Sequence, residues 1–140
     1  MTDPEIGHTL ISVGDEMTNG NLRNTADSLK ALGHPIRLRI LSLLRGGELC
    51  VCQITAVLEL APSTISEHLG LLRRSGFLAE RKQGKWVFYS LSGAPELMAL
   101  CDTLWPLMGR DLYLESDARA CGEIRQTPLT VLCSGTEAGA

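Results

Sequence analysis

The sequence predicts a mainly α-helical domain carrying a single β-hairpin, in the order four helices, the hairpin and a fifth helix. Apolar residues recur at helical spacing in four successive stretches up to Leu72, each punctuated by glycine or proline. Two short β-prone runs, Phe77-Leu78-Ala79 and Trp86-Val87-Phe88-Tyr89, then flank Lys82-Gln83-Gly84-Lys85. A further helical period begins near Pro95.

Each element has its own signal. From about Asn21 the stripe Leu22, Ala26, Leu29 and Leu32 runs to Gly33, a favourable C-terminal stop. His34-Pro35 restarts the chain with proline in a first helical turn. Ile36, Ile40, Leu43 and Leu44 then line one face as far as Gly46-Gly47. A short third helix is predicted from about Cys50 to Leu58, carrying Ile54, Val57 and Leu58, before the punctuation Glu59-Leu60-Ala61-Pro62. The fourth helix starts within 61–64. Pro62 suits a first turn, while Thr64-x-x-Glu67 has the form of a capping box. Its core stripe is Ile65, Leu69 and Leu72. In the hairpin, Gly84 supplies the positive φ of a tight turn. The last helix runs from about Pro95 through Leu97, Leu100, Cys101, Leu104 and Met108, with Pro106 expected to kink or shorten it. Residues 1–16, which contain Pro4, Gly7 and Gly14, are expected to form a flexible arm. Residues 17–114 form the domain, and 115–140 an acidic, irregular tail.

Composition narrows the function classes. A chain of 140 residues with 44% hydrophobic content buries one core and leaves little room for a second domain. No run of eighteen apolar residues and no basic-then-apolar leader is visible, so the reading is cytoplasmic, with no membrane partner. Five cysteines is an odd number for a disulfide scaffold, and free thiols are the better reading. The net charge of −3 looks wrong for a polyanion binder, but the charge is unevenly spread. Residues 30–91 hold nine lysines and arginines against four glutamates, a local +5 that leaves −8 for the flanks. The middle of the chain is therefore the part suited to face a polyanion.

Two short helices joined by a tight turn and followed by a basic hairpin form a winged helix-turn-helix, in which the second helix lies in the major groove and the hairpin tracks phosphates. With Ile65, Leu69 and Leu72 turned inward, Ser63, Thr64, Ser66, Glu67 and His68 stay near the exposed end of the reading helix. Arg73 and Arg74, with Arg81, Lys82 and Lys85 on the wing, are the candidate phosphate contacts. Residue by residue, the hydroxyls serve equally well as helix caps and His68 as a partly buried histidine. It is the joint pattern that favours DNA.

The segments His34-Pro35-Ile36-Arg37-Leu38-x-Ile40-Leu41, Glu48-Leu49-Cys50-Val51-Cys52, Ser63-Thr64-Ile65-Ser66-Glu67-His68-Leu69 and Gly84-Lys85-Trp86 resemble the ArsR/SmtB family of winged-helix metalloregulators over roughly residues 20–110. The resemblance implies a homodimeric repressor that binds an imperfect palindrome in double-stranded operator DNA and dissociates when its inducer binds. A dimer has separate support, because a small domain cannot by itself cover both the first helix and the face formed by Leu97, Met98, Leu100, Leu104, Trp105 and Leu107.

Cys50-x-Cys52 is the candidate sensor. Thiolates select soft or borderline ions, which brings arsenite, antimonite, cadmium, lead and zinc into range. Residues two apart on a regular helix project about 200° from one another, so a pair in the first turn of the third helix would chelate only if that turn unwound. Unwinding would unseat the reading helix, which couples the ion to DNA release. A helix N-terminus also favours thiolate over thiol. The plain alternative is two small buried hydrophobes. In the arsenic-sensing branch that the sequence resembles, a third cysteine follows three positions after the second, where this chain has Thr55. Cys101, Cys121 or Cys133 is left as the candidate third ligand, within one chain or across the dimer. The family's cadmium and lead sensors add cysteines from the N-terminal arm, and residues 1–49 hold none. Its zinc sites need histidines on the last helix, and none follows His68, so Asp102 stands alone. As(III) or Sb(III) is therefore the expected inducer, with Cd(II), Pb(II) or Zn(II) as the alternative. Three rivals remain: a thiol-redox or persulfide sensor on the same scaffold, a small thiol enzyme, and a helical protein-binding adaptor. The first would release DNA on oxidation alone. The second needs a base oriented beside its nucleophile, and the third would lack steep salt dependence on duplex DNA.

Overall fold

A computed structural model describes the backbone of residues 11–133 and the side chains of residues 21–133. The elements are α1 (Ile11–Leu32), α2 (Pro35–Leu44), β1 (Leu49–Cys50), α3 (Val51–Leu58), α4 (Pro62–Arg74), β2 (Leu78–Gln83), β3 (Trp86–Leu91), α5 (Pro95–Met108), α6 (Leu112–Ile124) and α7 (Leu129–Leu132). The central helices form where periodicity places them. In α2, His34 caps the start by accepting a hydrogen bond from the Ile36 amide, and Pro35 occupies the first turn. The start of α4 falls at Pro62, with Ala61 as its N-cap, so proline rather than the Thr64 capping box sets the boundary.

The core is built from one face of each helix. Ile40, Leu41 and Leu44 of α2, Ile54 of α3, and Ile65, Leu69 and Leu72 of α4 are almost wholly buried together with Leu49 and Phe77. Each such side chain contributes about 1.5–3 kcal/mol by leaving water. The turn between α3 and α4 is tight because Glu59 adopts a left-handed conformation (φ 55°) as the C-cap of α3. Gly84, at φ 62°, turns the β2–β3 hairpin.

The structure departs from the sequence reading in four places. A third strand exists: β1 pairs antiparallel with β3, Leu49 opposite Tyr89 and Cys50 opposite Phe88, giving the sheet order β1-β3-β2. It takes Cys50 into the sheet, so α3 starts at Val51 and not at Cys50. Helix α1 begins at Ile11, which places residues 11–16 of the expected arm in a helix; residues 1–10 lie outside the described residues. Pro106 neither stops nor shortens α5, which continues to Met108. Of the expected irregular tail, residues 115–124 and 129–132 are helical, and 134–140 lie outside the described residues. Asp111 caps α6 by accepting from the amides of Tyr113 and Leu114, and α6 then packs on α2 and α3.

Besides the apolar contacts of Ala120, Cys121 and Ile124 with the core, α6 docks through a charge pair that no local pattern announces. The Arg39 guanidinium of α2 donates two hydrogen bonds to the Asp117 carboxylate, at 2.8 and 2.9 Å, and Asp117 is only 5% exposed. The carboxylate holds the Arg39 pKa above its ordinary value. A planar fork on a carboxylate is the strong form of such a bond. At the far end of α6, Arg125 donates to the carbonyls of Gly47 and Glu48 at 3.1 Å each. Asp117→Ala, which leaves Arg39 without its acceptor, is expected to lower stability by about 2 kcal/mol. Equilibrium denaturation measures this, and an unchanged midpoint would show that α6 docks without the pair.

Candidate functional site

Two groups of residues stand out, and both are positioned by the start of α3. The first is the surface formed by α4 and the hairpin. Ser63, Ser66 and Glu67 are exposed, and Thr64 is half-buried, on the side of α4 away from Ile65, Leu69 and Leu72. On the wing, Lys82 and Lys85 are exposed and enter no ion pair among the described residues.

The other predicted contacts are differently employed. The Arg81 guanidinium grips Glu48 through two 2.8 Å bonds, donates to Gln83 at 2.7 Å and lies 4.5 Å over the Phe88 ring. This pairing pulls the Glu48 carboxyl below its usual range. Arg73 sits 3.4 Å from Glu80, and both Arg73 and Arg74 are exposed at the end of α4. His68 is half-buried, with its ring centroid 4.5 Å from that of His34 and its Nδ1 3.2 Å from Arg37. Arg37 in turn donates to the carbonyls of Ala31 and Lys30 at the end of α1. His68 thus ties α4 to the α1–α2 junction.

The second group is a thiol cluster. Cys50 is the N-cap of α3 with extended backbone (φ −78°, ψ 153°), and its amide donates to Gln53 Oε1 at 2.7 Å. Because Cys50 stands outside the helix, the 200° divergence expected of two helical positions does not apply, and no turn has to unwind for the pair to converge. The sulfurs of Cys50, Cys52 and Cys133 lie within 4.8 Å of one another, all three buried. The expectation of free thiols holds for Cys50 but not for its partners: Cys52 and Cys133, brought together from distant parts of the chain, are joined as a disulfide, their Cα atoms 5.5 Å apart.

Trp86, Phe88, Leu129 and Leu132 pack around the three sulfurs. Beside them the indole Nε1 of Trp86 is buried with no hydrogen-bond acceptor among the described residues. Reduced, the cluster offers three soft donors in a dry, apolar setting, and its chemistry fits a thiophilic ion. The structure brings one of the three candidate third ligands to the pair and leaves the other two elsewhere. Cys101 and Cys121 are buried in the main core, and burial, with a smaller effect of Asp102, pushes the Cys101 thiol up.

Sequence reasoning left Glu48, Gln53 and Trp86 out of the site. Glu48 and Gln53 have only their short spacing from Cys50 as a signal, and Trp86 has its place at the head of the hairpin's second strand.

A tight helix-turn-helix backed by a three-stranded hairpin sheet, with a thiol cluster at its hinge, defines a winged-helix transcriptional regulator. A model described as "Bacterial regulatory protein, arsR family" matches residues 34–80. The arsenic resistance transcriptional regulator ArsR1 of Pseudomonas putida is 37% identical over 102 residues, covering 71% of this chain and 78% of the relative. The arsenical resistance operon repressor of Escherichia coli is 53% identical over 64 residues, 45% of this chain and 55% of that protein. Among solved structures, HlyU from Vibrio cholerae superposes with a TM-score of 0.59 at 38% identity, covering 64% of this chain and 97% of that one. The chain belongs to the ArsR family of bacterial regulatory proteins.

The His68 arrangement generates a pH prediction. Burial first, then the neighbouring His34 and Arg37, lower the His68 pKa below 6.5, against a smaller opposing effect of Glu67. A histidine whose folded pKa lies below its unfolded value leaves stability intact above about 6.5 and removes it as pH falls through the folded value. Denaturation midpoints of the parent and of His68→Gln at pH 7.5 and 5.5 are expected to show a smaller acid loss in the variant. Equal losses would assign the effect to other groups.

Proposed function

We propose that this chain is a dimeric repressor that leaves double-stranded operator DNA when As(III) or Sb(III) is captured by Cys50, Cys52 and Cys133. The observation that carries the reading is the meeting of three buried sulfurs, 4.8 Å or less apart, at the start of the helix that seats the reading helix. Capture balances as arsenous acid plus three thiols giving a tris-thiolate and three waters, each thiol proton leaving with one hydroxide.

Charge favours a trivalent ion. Three thiolates around a +3 centre sum to zero, whereas a +2 ion leaves one negative charge among Trp86, Phe88, Leu129 and Leu132. Burying an uncompensated charge is expensive. A structural zinc site also wants four donors, and among the described residues the cluster gathers three. Cd(II), Pb(II) and Zn(II) are therefore placed behind. Two of the relatives carry arsenic resistance in their names.

Release follows from where Cys50 stands. Drawing the three sulfurs onto one ion displaces Cys50, which is at once a residue of β1, opposite Phe88 of the wing, and the cap of α3. Next to it, Glu48 holds Arg81 on β2. The same displacement therefore acts on the wing and on the helix that supports α4. By reciprocity, DNA must weaken ion capture by the same factor.

Operator contacts are assigned to Ser63, Thr64, Ser66 and Glu67 for base choice, and to Lys82, Lys85, Arg73 and Arg74 for phosphates. Arg81 and His68 belong to the scaffold that presents them. Dimerisation is supported by Leu22, Leu29 and Leu107, which are 70%, 55% and 78% exposed. Two reading heads suit an imperfect palindrome.

Cys50→Ser, Cys52→Ser and Cys133→Ser are each expected to keep operator affinity. Each should raise the arsenite concentration for half-release by about 100-fold, because each removes one intramolecular donor from the chelate. DNA-binding anisotropy of the reduced proteins reads this, and normal release from all three would overturn the sensor. Lys85→Ala is expected to weaken binding to operator and random duplex alike and to lower the salt slope by about one, while Thr64→Ala blurs the preference between them. Equal losses on both duplexes from both changes would remove α4 as the reader.

A further inference from the structure

We propose that a bridge between Cys52 and Cys133 makes the regulator deaf to its inducer while leaving it competent for DNA, so that oxidation locks repression on rather than releasing it. The inference rests on the reading of the three sulfurs as the inducer site. It reverses the expectation for a thiol-redox sensor, in which bridge formation alone frees the operator.

Two observations carry it. First, the chain with this bridge has a regular, fully packed reading unit. α3 is regular over Val51–Leu58, with the Cys50 amide still capped by Gln53. Ile54 of α3 and Ile65, Leu69 and Leu72 of α4 remain in the core, and the β1–β3 pairing of Cys50 with Phe88 is intact. The bridge is thus compatible with the pose in which α4 is presented. It joins α3 to the residue after α7, a segment on the α6 side of the molecule.

Second, the bridge consumes two of the three donors. A disulfide sulfur carries no thiolate charge, so Cys50 alone is left as a free thiol in the cluster. A chelate held by three sulfurs of one chain gains a large effective concentration at each step after the first, and a single sulfur gains none. Ion capture and bridge formation therefore compete for the same atoms, and whichever comes first excludes the other.

The oxidation balances with a peroxide as co-reactant. One thiolate attacks a peroxide oxygen, forming a sulfenic acid and releasing hydroxide, which takes the thiol proton and leaves as water. The second thiol displaces the sulfenic hydroxyl as another water, closing the bridge. Two thiols lose two hydrogens and two electrons, and hydrogen peroxide becomes two waters. A dithiol reductant reverses the change.

The test uses the full chain and a duplex from the region upstream of its own gene. One portion is kept reduced and the other is treated with hydrogen peroxide, and the Cys52–Cys133 linkage is verified by mass mapping of non-reduced peptides. The bridged protein is expected to bind the duplex within about threefold of the reduced form. It should need about 100-fold or more arsenite for half-release, with dithiothreitol restoring the reduced response. Cys50→Ser is expected to form the same bridge. Loss of the duplex on peroxide treatment alone, or a verified bridged chain that answers arsenite at the reduced chain's concentration, would overturn the interlock. If the reduced chain itself ignores arsenite, the inducer reading fails and the interlock with it, an outcome distinct from the other two.

Discussion

Cys50 belongs to two elements at once, and that double membership is the constraint on which the rest of the site depends. Its extended backbone lets it pair with Phe88 as the last residue of β1 while its amide, held by Gln53, opens α3. A residue one position inside a helix would turn its side chain with the helical period. A residue just outside is free of that period, which is how Cys50 and Cys52 come to share a buried pocket. The same placement means that backbone movement at Cys50 disturbs both a strand of the wing sheet and the cap of the helix behind α4.

The third sulfur arrives by a different route. Cys133 is 81 residues from Cys52 and reaches it because α6 is fixed at its middle and at its C-terminal end. Arg39 and Asp117 hold its middle to α2, and Arg125 holds its end to the carbonyls of Gly47 and Glu48, just ahead of Cys50. The segment after the winged helix is therefore a strut that sets the distance between α7 and α3. Its anchors are two guanidinium groups on oxygen acceptors, directional contacts that locate a helix more sharply than apolar packing does.

Much of this was legible in the residues and some was not, for physical reasons. Helices α2, α4 and α5 and the hairpin announce themselves through periodicity and through Pro35, Pro62, Pro95 and Gly84, all of which act locally. The inward stripe Ile65, Leu69 and Leu72 is buried as its spacing requires. The apolar stripe of α6 is broken by Asp117 on its core-facing side, whose burial makes sense only with Arg39, 78 positions away. The pairing of Cys133 with Cys52 is equally non-local. The start of α3 lies one residue beyond the position that periodicity suggests, the ordinary scale of boundary difference, yet that single step reverses the geometry of the two sulfurs. A wing arginine has the chemistry of a phosphate contact, and nothing local to Arg81 announces its fork on Glu48, which depends on tertiary placement of the loop before β1.

That fork carries the electrostatics one step further. Glu48 neutralises Arg81 on one side of the wing and Glu80 sits against Arg73 on the other, so the unpaired positive charge of the hairpin is concentrated on Lys82 and Lys85 at its tip. Backbone affinity scales with the number of phosphates actually neutralised. Arg81 inside an ion pair adds little to that number, but it makes the wing's position depend on Glu48, and Glu48 lies two residues from the first sulfur and one hydrogen bond from Arg125. The paired charges thereby become the connection between the strut, the thiol cluster and the wing. A chain with net negative charge can thus offer a polyanion a few exposed cations, Lys82 and Lys85 on the wing and Arg73 and Arg74 at the end of α4, while Arg81, held by Glu48, fixes the wing in place.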